Sequence, residues 1–179
     1  MTEAHVAQGW KGRYFEDFEV GAIYQHPLGR TITAADNAWF TLLTMNTNEM
    51  HFNDHYAEAS TFGKQLVNSG LTVAMVLGIS VSDVSQNAMA NLSWKEISLT
   101  HPCFVGDTLY AQSLVLDLRE SASRPYAGIV TVKTQGLNQH GDVIMTFERS
   151  VMVYKRSAGN DKGLFPEAKT PITDGVDLG

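Results

Sequence analysis

One apolar stretch constrains the fold more than any other part of the chain. Residues 69–83 are apolar on almost every side of a helical projection, and their large side chains are Leu71, Val73, Met75, Val76, Leu77, Ile79 and Val81. The β-branched content would suit a strand, but fifteen residues are long for a strand, so the length favours a helix. A helix without a polar stripe must be buried on most sides. The stretch therefore predicts a long helix enclosed by a curved sheet.

The second half of the chain has the pattern of that sheet. Four strand-like segments of roughly ten residues follow position 87, at residues 89–99, 109–118, 128–137 and 143–154. Residues 138–141, Asn-Gln-His-Gly, have the composition of a hairpin turn between the last two. Upstream, Thr33 and Asp36 have capping-box spacing, which predicts the start of an earlier helix. Helices followed by four antiparallel strands predict an α+β domain.

Length, charge and cysteine content set the broad class. The chain has 179 residues, enough for a single domain with its own core, and we place that domain at residues 13–156 between an arm (1–12) and a tail (157–179). The net charge of -6 argues against nucleic acid as a partner. Cys103 is the only cysteine, which favours a reducing compartment. With no signal-peptide pattern and no apolar run long enough for a membrane span, we expect a cytoplasmic protein.

Residues 44–56, T-M-N-T-N-E-M-H-F-N-D-H-Y, are the densest polar segment. They contain three asparagines, one glutamate, one aspartate and two histidines within thirteen positions, between two segments with helical patterns. Such side chains can hold a polar ligand or move a proton. The segment is therefore the predicted site, and the rest of the chain is its scaffold.

These residues carry a resemblance to a known family. The run M-N-T-N-E-M-H-F-N, followed by Tyr56-Ala57, resembles the signature Gly-Asp-x-Asn-Pro-Leu/Ile/Val-His-x-Asp/Glu, then Tyr-Ala, of the MaoC-like hydratases and dehydratases, which have the hotdog fold and act on acyl thioesters. Residues 67–72 (V-N-S-G-L-T) and 102–109 (P-C-F-V-G-D-T-L) resemble two further motifs of that family. Residues 87–92 and 136–139 resemble its mesaconyl-CoA hydratase branch, which includes β-methylmalyl-CoA dehydratase and related itaconate-pathway hydratases. Among the departures from the signature are Met45 for Gly, Asn46 for Asp and Glu49 for Pro.

The resemblance implies a chemistry and a set of roles. It implies a hydratase or dehydratase for a short, branched dicarboxylic enoyl-CoA of mesaconyl, itaconyl or methylmalyl type, with the CoA thioester as substrate and no cofactor. His51 would be the acid–base and Asn46 would orient the water, while the Gly70 N–H at the start of the long helix would bind the thioester oxygen. Asn48, Ser69 and Arg30 are the other candidates for substrate binding. Single hotdogs usually pair, so at least a homodimer with the site between subunits is implied.

Each assignment has a plainer structural alternative. His51 can brace a loop carbonyl, and Asn46 suits a helix C-cap. Asn48 can brace the loop, and Ser69 can be the N-cap of the long helix. Arg30 can be a solvated side chain.

The replacement of the family aspartate by Asn46 leaves three readings open. His51 acts with Asn46 as the orienting group, or Glu49 or Asp54 supplies a carboxylate, or the chain is not a hydratase. In the last case it is a non-catalytic acyl-CoA-binding hotdog or a hotdog thioesterase.

Zinc and thiol chemistry are both disfavoured by the sequence. His51 and His55 have the spacing of an inverted zinc-protease motif, but Asp54 is one methylene shorter than the usual glutamate and no third ligand is evident. We therefore expect no metal. Cys103 follows a proline and has no evident activating base, so we expect it to be a small buried filler.

Overall fold

The computed structural model describes residues 4–159 and 163–176. Three α-helices and six strands lie in these residues, in the order β1 (Ile23–Gln25), β2 (Arg30–Thr31), α1 (Ala34–Leu43), α2 (Asp54–Glu58), α3 (Ser69–Ser80), β3 (Ala88–Leu99), β4 (Thr108–Glu120), β5 (Ala127–Leu137) and β6 (Val143–Tyr154). Short 3-10 helices lie at Phe15–Asp17, Glu49–His51 and Arg156–Ala158, and a π-helical turn, Val81–Ser85, follows α3. The predicted α+β class is confirmed.

The strands form one antiparallel sheet in the order β1-β4-β5-β6-β3, with β2 pairing to β4 beside β1. The four long strands agree with the sequence expectation to within about two residues at each end. The β5–β6 hairpin closes at Asn138, whose N–H bonds to the carbonyl of Asp142, and Gly141 supplies the positive φ that this turn needs.

Helix α3 packs directly against one face of this sheet. Val76 is fully buried, and a Cβ placed on Gly136 of β5 would lie 2.6 Å from the Val76 side chain, so the glycine permits the close approach. Met145 and Phe147 of β6 complete the contact. The helix is less enclosed than its composition predicts, because Ala74 and Gly78 on its outer side remain exposed.

Helix α1 begins at the predicted cap, but it buries polar side chains and exposes large apolar ones. Thr33 and Asp36 form the capping box. The buried residues are the polar Asn37 and Thr41, whereas Trp39 is 79% and Leu43 is 81% exposed. Burial of the polar pair is possible because both make side-chain hydrogen bonds to the segment that leads into α3.

The end of α1 is a Schellman motif built around Met45. The N–H of Met45 bonds to the carbonyl of Leu42 at 3.1 Å, and the N–H of Asn46 bonds to that of Thr41 at 3.0 Å. Met45 has a φ of +61° in the left-handed region, where glycine is favoured. The first departure from the family signature therefore replaces glycine at the one position of this turn that most prefers it.

Replacing Met45 with glycine should stabilise the protein. Met45 is 88% exposed, so little packing is lost, while the left-handed conformation costs a side-chain-bearing residue about 1 kcal/mol or more. We expect Met45→Gly to raise the free energy of unfolding in urea by about that amount. Met45→Ala is the matched control, since it also removes the long side chain but keeps the Cβ. An equal gain in both variants would contradict this explanation.

A buried polar cluster lies at the far end of α3. His26 bonds through Nδ1 to Asp83 and through Nε2 to Ser113, each at 2.9 Å, and Asp83 also pairs with Arg13. Arg149 lies nearby, fully buried, and donates to the hydroxyls of Ser80 and Ser85 at 3.0 and 3.2 Å. Burial lowers the pKa of Arg149 to about 10. The cluster joins the π-helical turn after α3 to the sheet.

This cluster should make stability depend on pH. Burial lowers the pKa of His26 below its ordinary value of 6.5, an effect that Arg149 and Arg13 reinforce and that Asp83 only partly offsets. Below about pH 6.5 the unfolded chain therefore binds a proton that the folded chain does not, and stability falls as the pH falls towards the folded pKa. Burial alone would raise the pKa of Asp83, but hydrogen bonds from His26 and Arg13 lower it, which adds a further loss near and below pH 4.

Urea unfolding at pH 8 and pH 5.5 measures the effect. We expect a lower midpoint at pH 5.5 for the wild type and a smaller difference for His26→Gln. His5→Gln, which removes an exposed histidine of the arm, should keep the wild-type difference. A wild-type midpoint that does not change with pH would contradict a lowered pKa of His26 in the folded protein.

Both ends of the chain extend beyond the described residues. Within the arm, Trp10 donates to the carbonyl of Ser82 and the Asn87 amide donates to that of Lys11, so residues 10–12 are attached to the turn after α3 rather than trailing freely. Residues 1–3, 160–162 and 177–179 lie outside the described residues, and residues 163–176 are exposed. The proposed boundaries at 12 and 157 stay predictions. None of the helices in the described ranges has the length and apolar character needed to cross a membrane.

Candidate active site at the amino end of the long helix

His51 ends the short 3-10 helix Glu49–His51 and is held against the segment that enters α3. Its Nδ1 lies 2.8 Å from the carbonyl oxygen of Leu66. A carbonyl can only accept, so Nδ1 carries the proton and the neutral ring has its lone pair on Nε2. No described residue hydrogen-bonds to Nε2, and 8% of the His51 surface remains exposed. The loop-bracing alternative thus accounts for Nδ1 only, and Nε2 keeps a lone pair without a partner among the described residues.

Asn46 and Asn48 shape the turn that precedes His51. The Oδ1 of Asn46 accepts the N–H of Asn48 at 2.9 Å, and the Oδ1 of Asn48 accepts the N–H of Met50 at 3.1 Å. Asn48 is the N-cap of the 3-10 helix that contains His51, which supports the loop-bracing alternative for Asn48. Asn46 lies two residues beyond the C-cap of α1, Thr44, rather than at it. With its oxygen engaged, Asn46 can offer a ligand the N–H bonds of Nδ2.

Ser69 and Gly70 lie in the first turn of α3, but the N-cap is Asn68 rather than Ser69. The Oδ1 of Asn68 accepts the Gly70 N–H at 2.9 Å, while its Nδ2 donates to the Thr41 hydroxyl at 3.1 Å. The predicted oxyanion donor is therefore engaged by a capping side chain. The N–H of Ser69 has no hydrogen-bond acceptor in the part of the chain that the structure describes, and it lies at the same positive end of the helix.

A cavity of about 250 Å³ lies beside this helix end. Ser69 and Thr72 line it from α3, and Leu66, whose carbonyl oxygen bonds to His51, lines it from the preceding segment. His51 itself is not among the lining residues. Leu66 therefore contacts both the imidazole, through its carbonyl oxygen, and the cavity.

Cys103 also lines this cavity, in surroundings that disfavour its thiolate form. The side chain is buried, and burial together with the nearby Asp107 raises the pKa of the thiol to about 12. Almost no thiolate is present near neutral pH. The expectation that Cys103 fills space agrees with this environment.

Arg30 lies apart from the His51 group. Its guanidinium pairs with Asp36 at 2.9 Å, and both line a separate cavity of about 460 Å³ that runs along another face of α3. Hydrogen bonds from Thr33, and then the charge and hydrogen bond of Arg30, lower the pKa of Asp36, so its carboxylate is ionised at neutral pH. The structure does not bring Arg30 together with the other candidate residues.

The two carboxylates considered as replacements for the family aspartate have other partners. The Nδ2 of Asn53 donates to Glu49 at 3.0 Å, and the Nε2 of Gln65 donates to Asp54 at 2.8 Å. His55 is exposed on α2, on a different element from His51. No group of three or more His, Cys, Asp or Glu residues within 4–159 and 163–176 could hold a metal ion.

Sequence reasoning missed the residues that hold the site together. Asn37 and Thr41 of α1 bond to the segment 66–68, and Asn68 caps α3. One signal was available, because Asn37 and Thr41 are polar residues four positions apart on one face of a helix that is apolar beyond its first turn.

Comparison with proteins of known structure and name first defines the class. A putative MaoC domain dehydratase from Chloroflexus aurantiacus superposes with a TM-score of 0.78 at 31% identity, over 93% of this chain and 46% of that chain. A Mycobacterium tuberculosis protein with a double hotdog fold superposes with a TM-score of 0.74 at 22% identity, over 90% of this chain and 47% of that one, which bears on the fold alone. The predicted hotdog fold is therefore confirmed.

The sequence comparisons then define the family. The family model for mesaconyl-CoA hydratase matches residues 4–175. The mesaconyl-CoA hydratase of Cereibacter sphaeroides is 37% identical over 81% of this chain and 42% of its own length. The β-methylmalyl-CoA dehydratase of Chloroflexus aurantiacus is 33% identical over 93% of this chain and 45% of its own length. The chain belongs to the mesaconyl-CoA hydratase family, and it spans less than half the length of these curated relatives.

Proposed function

We propose that this protein adds water to, or removes it from, the double bond of a short enoyl-CoA. The family supports the reaction type, since its named members are a hydratase and a dehydratase of acyl-CoA esters. The observation that carries the proposal is the Nδ1–H bond of His51 to Leu66, which leaves the lone pair on Nε2 of a ring anchored to the segment that enters α3. A base placed there is what water addition to a thioester-activated double bond requires.

The proposed mechanism uses the imidazole in both directions. A water molecule held by the Nδ2–H of Asn46 gives a proton to His51 Nε2 as its oxygen bonds to the β-carbon of the enoyl group. The electron pair of the double bond moves towards the thioester oxygen, which backbone N–H groups at the start of α3 stabilise. The imidazolium then returns the proton to the α-carbon, and the base is regenerated. Dehydration is the reverse sequence.

Asn46→Asp tests the assignment of Asn46. The carboxylate is nearly isosteric, can still accept the Asn48 N–H, and can accept a hydrogen bond from the attacking water. We expect hydratase activity to be kept or raised in steady-state assays. Total loss of activity would show that the pocket requires the amide.

We propose that the acyl group is a short, branched dicarboxylic one. The names of the relatives suggest a mesaconyl or methylmalyl type, and the sequence resemblance adds the itaconyl type. An asparagine-rich turn suits a short polar acyl group better than a long fatty chain. A panel of short enoyl-CoA esters, followed by loss of the conjugated thioester absorbance, tests both reaction and substrate. If the protein hydrates none of these esters, the proposal is wrong.

A non-catalytic acyl-CoA-binding protein is the second candidate, because Asn46 stands where the family signature has its aspartate. An amide cannot carry a proton at neutral pH. Binding of a CoA ester without water addition, with His51→Ala changing binding alone, would select it. Release of free CoA from a saturated acyl-CoA would instead select a thioesterase.

We further propose that two copies associate through the free edge of the sheet. Strand β3 pairs with β6 on one side, and no other described strand covers its second side, where Leu92, Ile97 and Leu99 are about half exposed. Unpaired edges of this length are normally covered. A monomer in light scattering at micromolar concentration would contradict this arrangement.

A further inference from the structure

Asn37 is a fully buried asparagine that takes no part in the proposed mechanism. It lies on α1 with 0% exposure, and all of its hydrogen bonds go to backbone groups. Its Nδ2 donates to the carbonyl of His51 at 2.7 Å and to that of Leu66 at 3.0 Å, while its Oδ1 accepts the N–H of Asn68 at 2.9 Å. One side chain thus joins the turn that carries His51 to the segment that enters α3.

The Leu66 carbonyl is the point at which these contacts converge. It accepts from Asn37 Nδ2 and from His51 Nδ1 at the same time, using both of its lone pairs. Asn37 therefore helps to orient the Leu66 carbonyl, which selects the tautomer of His51. It also donates a hydrogen bond to the backbone carbonyl of His51. The imidazole has no comparable second anchor among the described residues, since its Nε2 bonds to none of them.

We propose that Asn37 is a positioning residue, which aims His51 Nε2 and, by holding the Leu66 carbonyl against Nδ1–H, selects the neutral tautomer whose lone pair is on Nε2. The catalytic consequence rests on the function proposed above, but the effect on the tautomer does not. Asn37 touches neither substrate nor reacting atoms, and it acts only through His51 and Leu66.

Only an amide side chain of this length can make all three hydrogen bonds, two as a donor and one as an acceptor. A carboxylate at position 37 could accept from Asn68 but would face the carbonyls of His51 and Leu66 without a proton to share, which is costly in a buried site. A serine could donate to one carbonyl at most. Both substitutions would weaken or remove the hold of residue 37 on the Leu66 carbonyl. Among the described residues, its peptide would then be fixed only by the bond of the Val67 N–H to the Cys103 carbonyl, at 2.8 Å, and by His51 itself.

Nitrogen-15 spectra of the histidine side chains test this directly. The His51 signals are assigned by their loss in His51→Gln, and the tautomer is determined for wild type, Asn37→Asp and Asn37→Ser at pH 8. We expect the Nδ1–H form in the wild type and a shift towards the Nε2–H form in both variants. Asn138→Ser is the matched control, since Asn138 is also a buried asparagine that makes three local hydrogen bonds, here at the β5–β6 turn.

Kinetics on an enoyl-CoA that the wild type hydrates give the second readout. We expect kcat of the Asn37 variants to fall on the order of tenfold to a hundredfold with KM largely unchanged, as for a misplaced catalytic group. Asn138→Ser should leave both constants unchanged. If the wild type hydrates no enoyl-CoA, the proposed function fails while the spectra still decide the role of Asn37.

Three results would overturn the proposal. One is a wild-type His51 that carries its proton on Nε2. Another is a folded Asn37 variant with the wild-type tautomer and kcat. The third is loss of folding in both Asn37 variants while Asn138→Ser folds, which would make Asn37 a purely structural residue.

Discussion

His51→Gln should reduce the rate of enoyl-CoA hydration by at least about a hundredfold, the usual contribution of a general acid–base group. Glutamine can still hydrogen-bond to the Leu66 carbonyl through its amide, so the loop anchor at this position has a substitute. What it cannot do is take a proton from water at neutral pH. The expected loss is therefore in kcat, measured under saturating substrate, rather than in folding or in KM.

His55→Gln is the control for this experiment. It removes a second histidine four residues away, which is exposed on α2. We expect wild-type kcat in that variant. Turnover of His51→Gln within a few-fold of the wild type would remove His51 from the mechanism, even if the protein proved to be a hydratase.

Phe147→Ala should lower the free energy of unfolding by about 3–5 kcal/mol, the range for deletion of a buried aromatic ring. Phe147 is fully buried on β6, and its ring centroid lies 4.9 Å from that of Trp94 on β3. It belongs to the core cluster that joins the sheet to Val76 of α3. Its removal would leave a cavity under the helix whose amino end forms the site.

The measurement is the midpoint of urea unfolding, with Phe165→Ala as the matched control. Phe165 lies in the tail and is 93% exposed, so its loss should change stability by no more than about 0.5 kcal/mol. Comparable effects of the two substitutions would contradict the placement of the core between β6 and α3.

The fold was predictable because its strongest signals are local and repeated along long segments. The four long strands and the cap of α1 follow from patterns that do not depend on distant contacts. The apolar run that predicts α3 gave its start correctly but not its end, since the π-helical turn Val81–Ser85 depends on contacts to His26 and Arg13. Those partners lie more than fifty residues away in sequence.

The face of α1 was not predictable from its composition. Trp39, Leu42 and Leu43 have the spacing of an apolar helix face, yet all three are exposed. The buried side of α1 is the one on which Asn37 donates to the Leu66 carbonyl and Thr41 accepts from the Asn68 amide. Polar burial of this kind depends on which backbone groups of a remote segment lack partners. The spacing of Asn37 and Thr41 marks a polar face, but the sequence does not show which backbone groups that face will meet.

The candidate site was predictable only in part. His51 and the amino end of α3 are brought together as the resemblance implied. The capping role given to Ser69 belongs to its neighbour Asn68, and Arg30 lies on another face of the helix. Capping residues and ion-pair partners depend on distances of a few ångströms. A sequence-based prediction can therefore place them one residue away from their true position even where it places the helices and strands correctly.

Isotope tracing tests the central claim most directly. The wild-type protein is incubated with a short enoyl-CoA in oxygen-18 water, and the intact acyl-CoA is analysed by mass spectrometry. We predict a product heavier by one molecule of labelled water with its thioester bond preserved, formed by the wild type and scarcely by His51→Gln. Free CoA with label in the released acid, or substrate that is bound but unchanged in mass, would contradict water addition at the double bond.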